Sequence, residues 1–597
     1  MDIEYMDEDV FVPRLENAAF TLISELKSEQ VSQRLHALNK ISFIANALGA
    51  EGTRTKLVPY LSEMKNDEES VLLLLAEQLI KLVEQVGGSS YVHVLLSPLE
   101  DIASSKECSV RDKVVESMSV IIQLLSKTQL MDHVYPLLAR LGRSELFTCR
   151  YSAAGIIPIL YALSDQIQRT ELKILFTDLV NDSDEIVRSA TLKNLPKLFH
   201  ELEPDQLLTE GYAGLERLST DDKSYVRVFT SDALITLSQL INDEQKQKYV
   251  LPILHKLSVD SCWRVRYVLA HKYTSLLDLV KDQAVKDQFI IPFQKLMTDT
   301  EGEVRDSTIF QLVKLSSCLN QEQIIQYIVP FLESFVNNED KETRDAISTE
   351  IIGISALIGN EGTTHCLLPL FLKLLLDQDP QVKLNMISNL DVIVQAFGSN
   401  NLSQHVIPAI SSLSKDKDWR TRLTMIELTS FITDLMGKKF FHQQLWNMYI
   451  AWLNDPVFSI RKAASINLKS LTGLLGPKFV KQTLLDCLIE MSVQDHHKTR
   501  ITALFALTSI AEVLSAQDTI ECILPTLLTL AKDAVPNIRF NVAKSLETLT
   551  GQLKKTPIYK TKVKPVLESL AKDEDHDVLF FAKRAIEHGE SFTRPNL

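Results

Sequence analysis

The stretch Val250-Leu-Pro-Ile-Leu-His-Lys-Leu-Ser-Val-Asp-Ser-Cys-Trp-Arg-Val-Arg266 decides the fold, because its parts return along the chain at a fixed distance. The cation recurs at Arg188, Arg227, Arg266, Arg305, Arg344, Lys383, Arg422, Arg461, Arg500 and Arg539, each 39 residues after the last. Backwards the series runs through Arg150, Arg111, Leu73 and Arg34, and forwards to Leu579, which makes fifteen repeats. An acid lies six residues before the cation at Asp182, Asp221, Asp260, Asp299, Asp377, Asp416, Asp455 and Asp533, with Asn338 substituting once. Prolines lie 13 or 14 residues before it at Pro98, Pro136, Pro252, Pro292, Pro330, Pro369, Pro408, Pro525 and Pro565. A period of 20–50 residues is the mark of a repeat architecture.

Each repeat reads as two helices. The first is apolar and carries the proline, which removes one backbone donor and is expected to bend it. A polar turn follows at the Asp, a residue type whose carboxylate accepts orphan N–H groups. The second helix opens near the cation and is amphipathic: Ile538, Val542, Leu546, Leu549 and Leu553 fall at spacings of 4, 4, 3 and 4. One turn into that helix, the cation can reach the Asp of its own or a neighbouring repeat. The result is a ladder of ion pairs through Asp182, Arg227, Asp260, Arg266, Asp299, Arg305, Arg344, Lys383, Asp416, Arg422, Asp455, Arg461, Arg500 and Asp533. If exposed, each pair contributes ~0–1 kcal/mol and serves to set register. A hairpin this short cannot bury its apolar face alone and must stack on its neighbours. The expected fold is an all-α solenoid of about fifteen HEAT-type repeats, a curved elongated rod on the order of 150 Å along its contour at ~10 Å per helix layer.

Composition agrees. The chain has 597 residues, 45% hydrophobic and 23% charged, so it can pack a core. Only 18 glycines leave little material for tight β turns or phosphate-cradling loops. A net charge of −14 argues against nucleic acid or an anionic membrane surface as the main partner. The most apolar run, Leu367 to Leu376, is interrupted by Lys373 and is too short to cross a bilayer. The acidic start MDIEYMDEDVFVP lacks the features of a signal peptide. The seven cysteines are scattered, with no CxxC pair. A soluble protein of a reducing compartment is expected, cytoplasmic and also nuclear.

No catalytic constellation is present: no phosphate loop, no G-x-S-x-G elbow and no H-E-x-x-H. His496-His497 are adjacent, are expected to point apart, and supply no complete ligand set. A single His-Glu pair, His200-Glu201, falls short of the recurring pairs that HEAT-like iron hydroxylases need. No enzyme activity, metal or cofactor is expected.

Function in a repetitive array shows as departure from the average repeat. Three residues before the cation the residue is mostly small or polar, but it is Phe147, Trp263, Trp419 and Phe458 in four repeats. Two of the four tryptophans sit here, in Trp263-Arg264-Val265-Arg266 and Trp419-Arg420-Thr421-Arg422. Trp and Arg are the residues most enriched at binding hot spots. Two readings stay open: partner contact, or rings folded back onto the adjacent helix as local core. Trp446 and Trp452, on a first helix, are expected in the core.

Several segments carry a wider likeness. Leu73-Leu-Leu-Ala-Glu-Gln-Leu79, Tyr91-Val-His93, Ser97-Pro-Leu-Glu100, Val110-Arg-Asp-Lys113, Trp263-Arg-Val-Arg-Tyr267, Asn385-Met-Ile-Ser-Asn-Leu390 and Asn537-Ile-Arg-Phe-Asn-Val-Ala-Lys-Ser545 resemble the 65 kDa regulatory scaffold of type 2A protein serine/threonine phosphatase. The resemblance implies a non-catalytic scaffold that assembles a phosphatase catalytic subunit with exchangeable regulatory B-type subunits, as heterodimer and heterotrimer. It assigns catalytic-subunit binding to Trp419, Arg420, Val457, Phe458, His497, Val535, Pro536, Asn537 and Arg539. Regulatory subunits are assigned to Phe147, Ser183, Asp184, Glu185, Ile186, Arg188, Tyr225, Trp263 and Arg264. His497 departs from the family, which usually has Tyr at this turn. The implied organisation is an acidic tail at 1–9, regulatory docking over 10–397, catalytic docking over 398–590 and a tail at 591–597. The alternatives are a nuclear transport receptor or another HEAT-repeat adaptor, which typically have less regular repeats, and a HEAT-family metalloenzyme.

Overall fold

A computed structural model describes residues 19–389 and 407–591. The expected tail at 1–9, residues 592–597 and the expected boundary at 397/398 lie outside the described residues. Contacts divide the chain into two bodies, Met1–Gln311 and Leu312–Leu597. Among the described residues every regular element is helical, and in each body successive second helices pack on one another. The chain is an α-solenoid.

The repeat around Pro252 shows how the hairpin is made. A capping box opens it: Asn242 Oδ1 accepts the Gln245 N–H at 2.9 Å, and Gln245 Oε1 accepts the Asn242 N–H at 3.1 Å. A π-helical turn, Lys246–Val250, leads into the α-helix Leu251–Leu257, with Pro252 in its first turn. The second helix, Trp263–Asp278, buries Val265, Leu269, Tyr273 and Leu276 along one stripe. The stripe Ile538, Val542, Leu546, Leu549 and Leu553 is likewise buried in Pro536–Leu553, as its spacing predicts.

The bend in the first helix has a different form from the one expected. Five-residue π-helical turns precede Pro136, Pro252, Pro330, Pro369, Pro525 and Pro565, and widening the backbone by one residue accommodates the missing N–H and the proline ring. The same turn forms at Leu207–Gly211, Phe441–Leu445 and Val480–Leu484, where no proline follows at the equivalent place, while Pro292 lies inside an ordinary α-helix, Gln283–Met297. Proline alone therefore does not specify the turn.

The ladder is built by an unequal split of each guanidinium. In the rung at Arg188, Nη1 donates to the Asp182 and Ser183 carbonyls of its own turn, at 2.8 and 3.2 Å. Nε and Nη2 donate as a fork to both carboxylate oxygens of Asp221 in the next repeat, at 2.7 and 2.9 Å. Forks of this kind join Arg150–Asp182, Arg227–Asp260 and Arg266–Asp299 in the first body. In the second body they join Arg344–Asp377, Arg422–Asp455, Arg500–Asp533 and Arg539–Asp573. Lys383–Asp416 and Arg34–Asp67 make single-contact rungs at 2.6 Å. The carboxylate of a rung is thus always the neighbour's, and each ladder arginine, though not Lys383, also takes carbonyls from its own turn.

Two expectations change. The pairs are not exposed: Arg188 and Asp221 side chains retain 8% and 0% of their accessible surface. A bidentate buried pair is worth far more to break than a surface one, because removing one partner strands the other charge. Arg305 and Arg461 also do not join the ion-pair ladder. Each donates to carbonyls of its own turn only, and each leaves its Nε without a partner. Gln494 stands 33 residues beyond Arg461, where a rung would need an acid. Arg111 behaves alike, with Ser144 in that place, and its guanidinium lies 4.4 Å from the Tyr151 ring centroid instead.

Burial pushes the Asp221 carboxyl up, but the Arg188 fork and the Lys223 N–H outweigh it and hold the group at about 2, below its ordinary 3.8. A depressed carboxylate contributes stability that is complete above the unfolded value and is lost as the pH falls through the folded one. Thermal melts followed by circular dichroism should therefore show stability declining from about pH 4 toward about pH 2, less steeply in Asp221→Asn. At neutral pH Asp221→Asn should cost on the order of 3 kcal/mol, and adding Arg188→Gln should recover part of it, since no lone buried charge remains.

Candidate protein-binding edge

The residues singled out by departure from the average repeat gather at the openings of the second helices. Phe147, Trp263, Trp419 and Phe458 are each the first residue of such a helix, Phe147–Leu163, Trp263–Asp278, Trp419–Phe440 and Phe458–Leu475, rather than part of the preceding turn. Their position is fixed by the ladder. In every rung but Arg34–Asp67 the Asp sits two residues before the helix cap, and its Oδ1 accepts the cap residue's N–H. This holds for Asp260 and Cys262 at 2.8 Å, Asp416 and Asp418 at 2.9 Å, Asp455 and Val457 at 2.8 Å, and Asp533 and Val535 at 2.9 Å. One carboxylate thus ties the turn to itself and to the preceding repeat.

Neither open reading of the tryptophans is complete. Trp263 and Trp419 are half-buried, and each is covered on its outer side by the next residue: the guanidinium carbons of Arg264 and Arg420 both lie 4.9 Å from the indole centroid. The same cation–π pair is built twice, four repeats apart, with both arginines exposed. In the first body Trp263 meets Tyr267 edge-on at 6.3 Å and Tyr267 stacks with His271 at 6.4 Å. Tyr225 is 53% exposed and meets Phe229 edge-on. In the second body Phe458 is 51% exposed, with the Arg461 guanidinium 5.7 Å from its ring.

Of the remaining assigned residues, Ser183, Glu185, His497 and Asn537 are exposed, and Phe147, Asp184, Ile186, Val457, Val535 and Pro536 are half-buried. Asp184 caps its helix by accepting the Ile186 N–H at 2.8 Å. Arg188 and Arg539 differ from the rest because their guanidinia are committed to Asp221 and Asp573. His496 is the cap of helix His497–Ala511, so the two imidazoles stack at 5.2 Å and 18° instead of pointing apart. Trp452 is core, donating its indole N–H to the Ser414 carbonyl at 3.0 Å, whereas Trp446 is only half-buried, against Phe441.

The Cys262 thiol, beside Trp263, is pushed up by burial but held below its ordinary value by the Ser224 hydroxyl and the Arg264 and Val265 N–H groups. Asp67 and Asp573 are ladder acids that sequence reasoning missed, because the cations that mark the phase are replaced by Leu73 and Leu579 in their repeats.

Comparisons with known proteins point one way. A PPP2R1A-like HEAT repeat family model matches residues 283–359. The probable serine/threonine-protein phosphatase PP2A regulatory subunit of Caenorhabditis elegans is 38% identical over 232 residues, 39% of this chain and 39% of that one. The alpha isoform of the serine/threonine-protein phosphatase 2A 65 kDa regulatory subunit of Arabidopsis thaliana is 39% identical over 189 residues, 32% of each chain. The beta isoform from Rattus norvegicus is 41% identical over 184 residues, 31% of each. The chain thus matches about two fifths or less of the length of these relatives. Among solved structures, Kap121p bound to Pho4p superposes with a TM-score of 0.59 over 97% of this chain and 64% of that one, at 15% identity, a likeness of fold alone. The resemblance read from the sequence stands over these stretches: there this chain is similar to the 65 kDa regulatory subunits of protein phosphatase PP2A.

Proposed function

We propose that the chain is a non-catalytic scaffold that holds a phosphatase catalytic subunit together with exchangeable regulatory subunits along the openings of its second helices. Their joint placement would present phosphorylated substrates to the catalytic subunit for Ser/Thr dephosphorylation. The observation that carries the reading is the twinned cation–π pair, Trp263–Arg264 and Trp419–Arg420. Each presents a half-buried indole under an exposed, pre-oriented guanidinium, the composition of an interaction hot spot. The names of the relatives, regulatory subunits of a serine/threonine-protein phosphatase, agree with it. In this reading Trp419, Arg420, Val457, Phe458, His497, Val535, Pro536 and Asn537 meet the catalytic subunit. Phe147, Ser183, Glu185, Ile186, Tyr225, Trp263 and Arg264 meet regulatory subunits, with Arg188 and Arg539 holding the turns in place. The cytoplasm and nucleus are the proposed compartments. The nuclear transport alternative draws only on a likeness of fold.

Trp419→Ala combined with Arg420→Ala should weaken capture of a phosphatase catalytic subunit by about tenfold or more, with an unchanged circular dichroism melt. Capture equal to the unaltered chain refutes the assignment. Arg422→Gln touches no contact residue but frees Asp455, which anchors the Val457–Phe458 turn. It should also weaken capture, measurably less than the double alanine variant, in the same surface plasmon resonance assay.

A further inference from the structure

The exposed face of the second helices changes character over the last four repeats. Two columns of positions run along it, one and five residues after the ladder position. In the third to eleventh repeats five of nine carry an acid in these columns, at Asp112 and Glu116, Asp232, Asp306, Asp345 and Glu427, and no more than two successive repeats lack one. In the twelfth to fifteenth they read Lys462, Ile501, Phe540 and Phe580, then Ile466, Phe505, Lys544 and Arg584, without one carboxylate; Lys462, Ile466, Phe580 and Arg584 are exposed, Phe505, Phe540 and Lys544 half-buried, and Ile501 buried. That is an unusual stretch for a chain of net charge −14.

Structure gives the columns a shape. Lys462, Ile466, Phe505, Thr508, Asn541 and Lys544 line a cavity of about 220 Å³ across three second helices. Ile466 is 55% exposed at its edge, and Phe580 is 58% exposed one repeat further on. The Lys544 ammonium lies 4.8 Å from the Phe540 centroid and 3.9 Å from that of Phe581, which holds the cation in place. Arg584 lies over Phe581 at 4.9 Å and spends its charge on Glu547 at 2.7 Å. Among the described residues neither Lys462 nor Lys544 has an acidic partner within ion-pair distance. Exposed apolar side chains beside uncompensated cations match a ligand that brings both apolar groups and negative charge.

We infer that this face docks a segment of a partner protein that alternates apolar side chains with carboxylates. An aliphatic or aromatic side chain enters the cavity against Ile466 and Phe505, and carboxylates meet Lys462 and Lys544. The face begins one helical turn beyond the helix openings proposed to hold the catalytic subunit and runs on along the helix bodies, and it does not rest on that reading.

The test uses the full chain and a fluorescein-labelled peptide alternating leucine and glutamate, read by fluorescence anisotropy. The peptide should bind, and Lys462→Glu and Ile466→Asp, both at exposed positions, should each weaken it about tenfold or more. Lys544→Met, which keeps contact with the two rings, should weaken it less. Trp419→Ala with Arg420→Ala should leave it unchanged. Failure of the peptide to bind overturns the inference, as does equal affinity in Lys462→Glu and Ile466→Asp. Equal affinity for a control peptide with serine in place of leucine also overturns it, since charge alone then accounts for binding.

Discussion

A single interaction organises this molecule: an arginine that grips its own turn by the carbonyls and the next repeat's aspartate by a two-pronged fork. The planar guanidinium suits the task because it presents donors in two directions at once, which an ammonium cannot match. At Lys383 only one contact, to Asp416 at 2.6 Å, remains. The aspartate is equally divided, accepting the fork on one side and the cap N–H of its own helix on the other. Register between repeats and conformation of the turn are therefore not independent properties. A residue that opens a second helix, such as Phe458, is aimed by Asp455, and Asp455 is aimed by Arg422 from the repeat before.

This coupling explains why a repetitive array can carry distinct sites without irregular loops. The scaffold repeats and the decoration changes. Trp263 and Trp419 share one backbone setting and one neighbouring arginine, and they differ in what surrounds them, with Tyr267 and His271 continuing the aromatic surface only beside the first. Sites in such a framework arise by substitution at fixed positions, and each inherits its rigidity from the ladder rather than from local packing.

The period, the helical hairpin and the ladder positions were legible in the sequence because each repeat must solve the same burial problem with the same spacing. Which partner each arginine chose was not, since residues six back and 33 on are both within reach, and the fold uses both through different atoms. Asp67 and Asp573 escaped notice because the marker cation in their own repeats is a leucine. The π-helical turns have no consistent residue signature: Pro252 follows one and Asn447 stands at the same place after another. The helix openings were visible as departures from the average, but the arginine cover over each indole needed coordinates. The columns holding Ile466 and Phe505 lack carboxylates, which is visible in the sequence, but the exposure of Ile466 and the cavity beside it needed coordinates.

The arginines that lack a fork give the array an uneven mechanical character. Arg111 and Arg461 keep the grip on their own carbonyls but have no carboxylate to hold across the seam. In a string of nearly identical joints, strain collects where the fastening is weakest, so flexing in each body concentrates beside these residues instead of spreading evenly. The seam after Arg461 falls among the repeats that carry Phe458 and His497. A protein seated there would straddle a pliant joint and could stiffen it merely by occupying both sides.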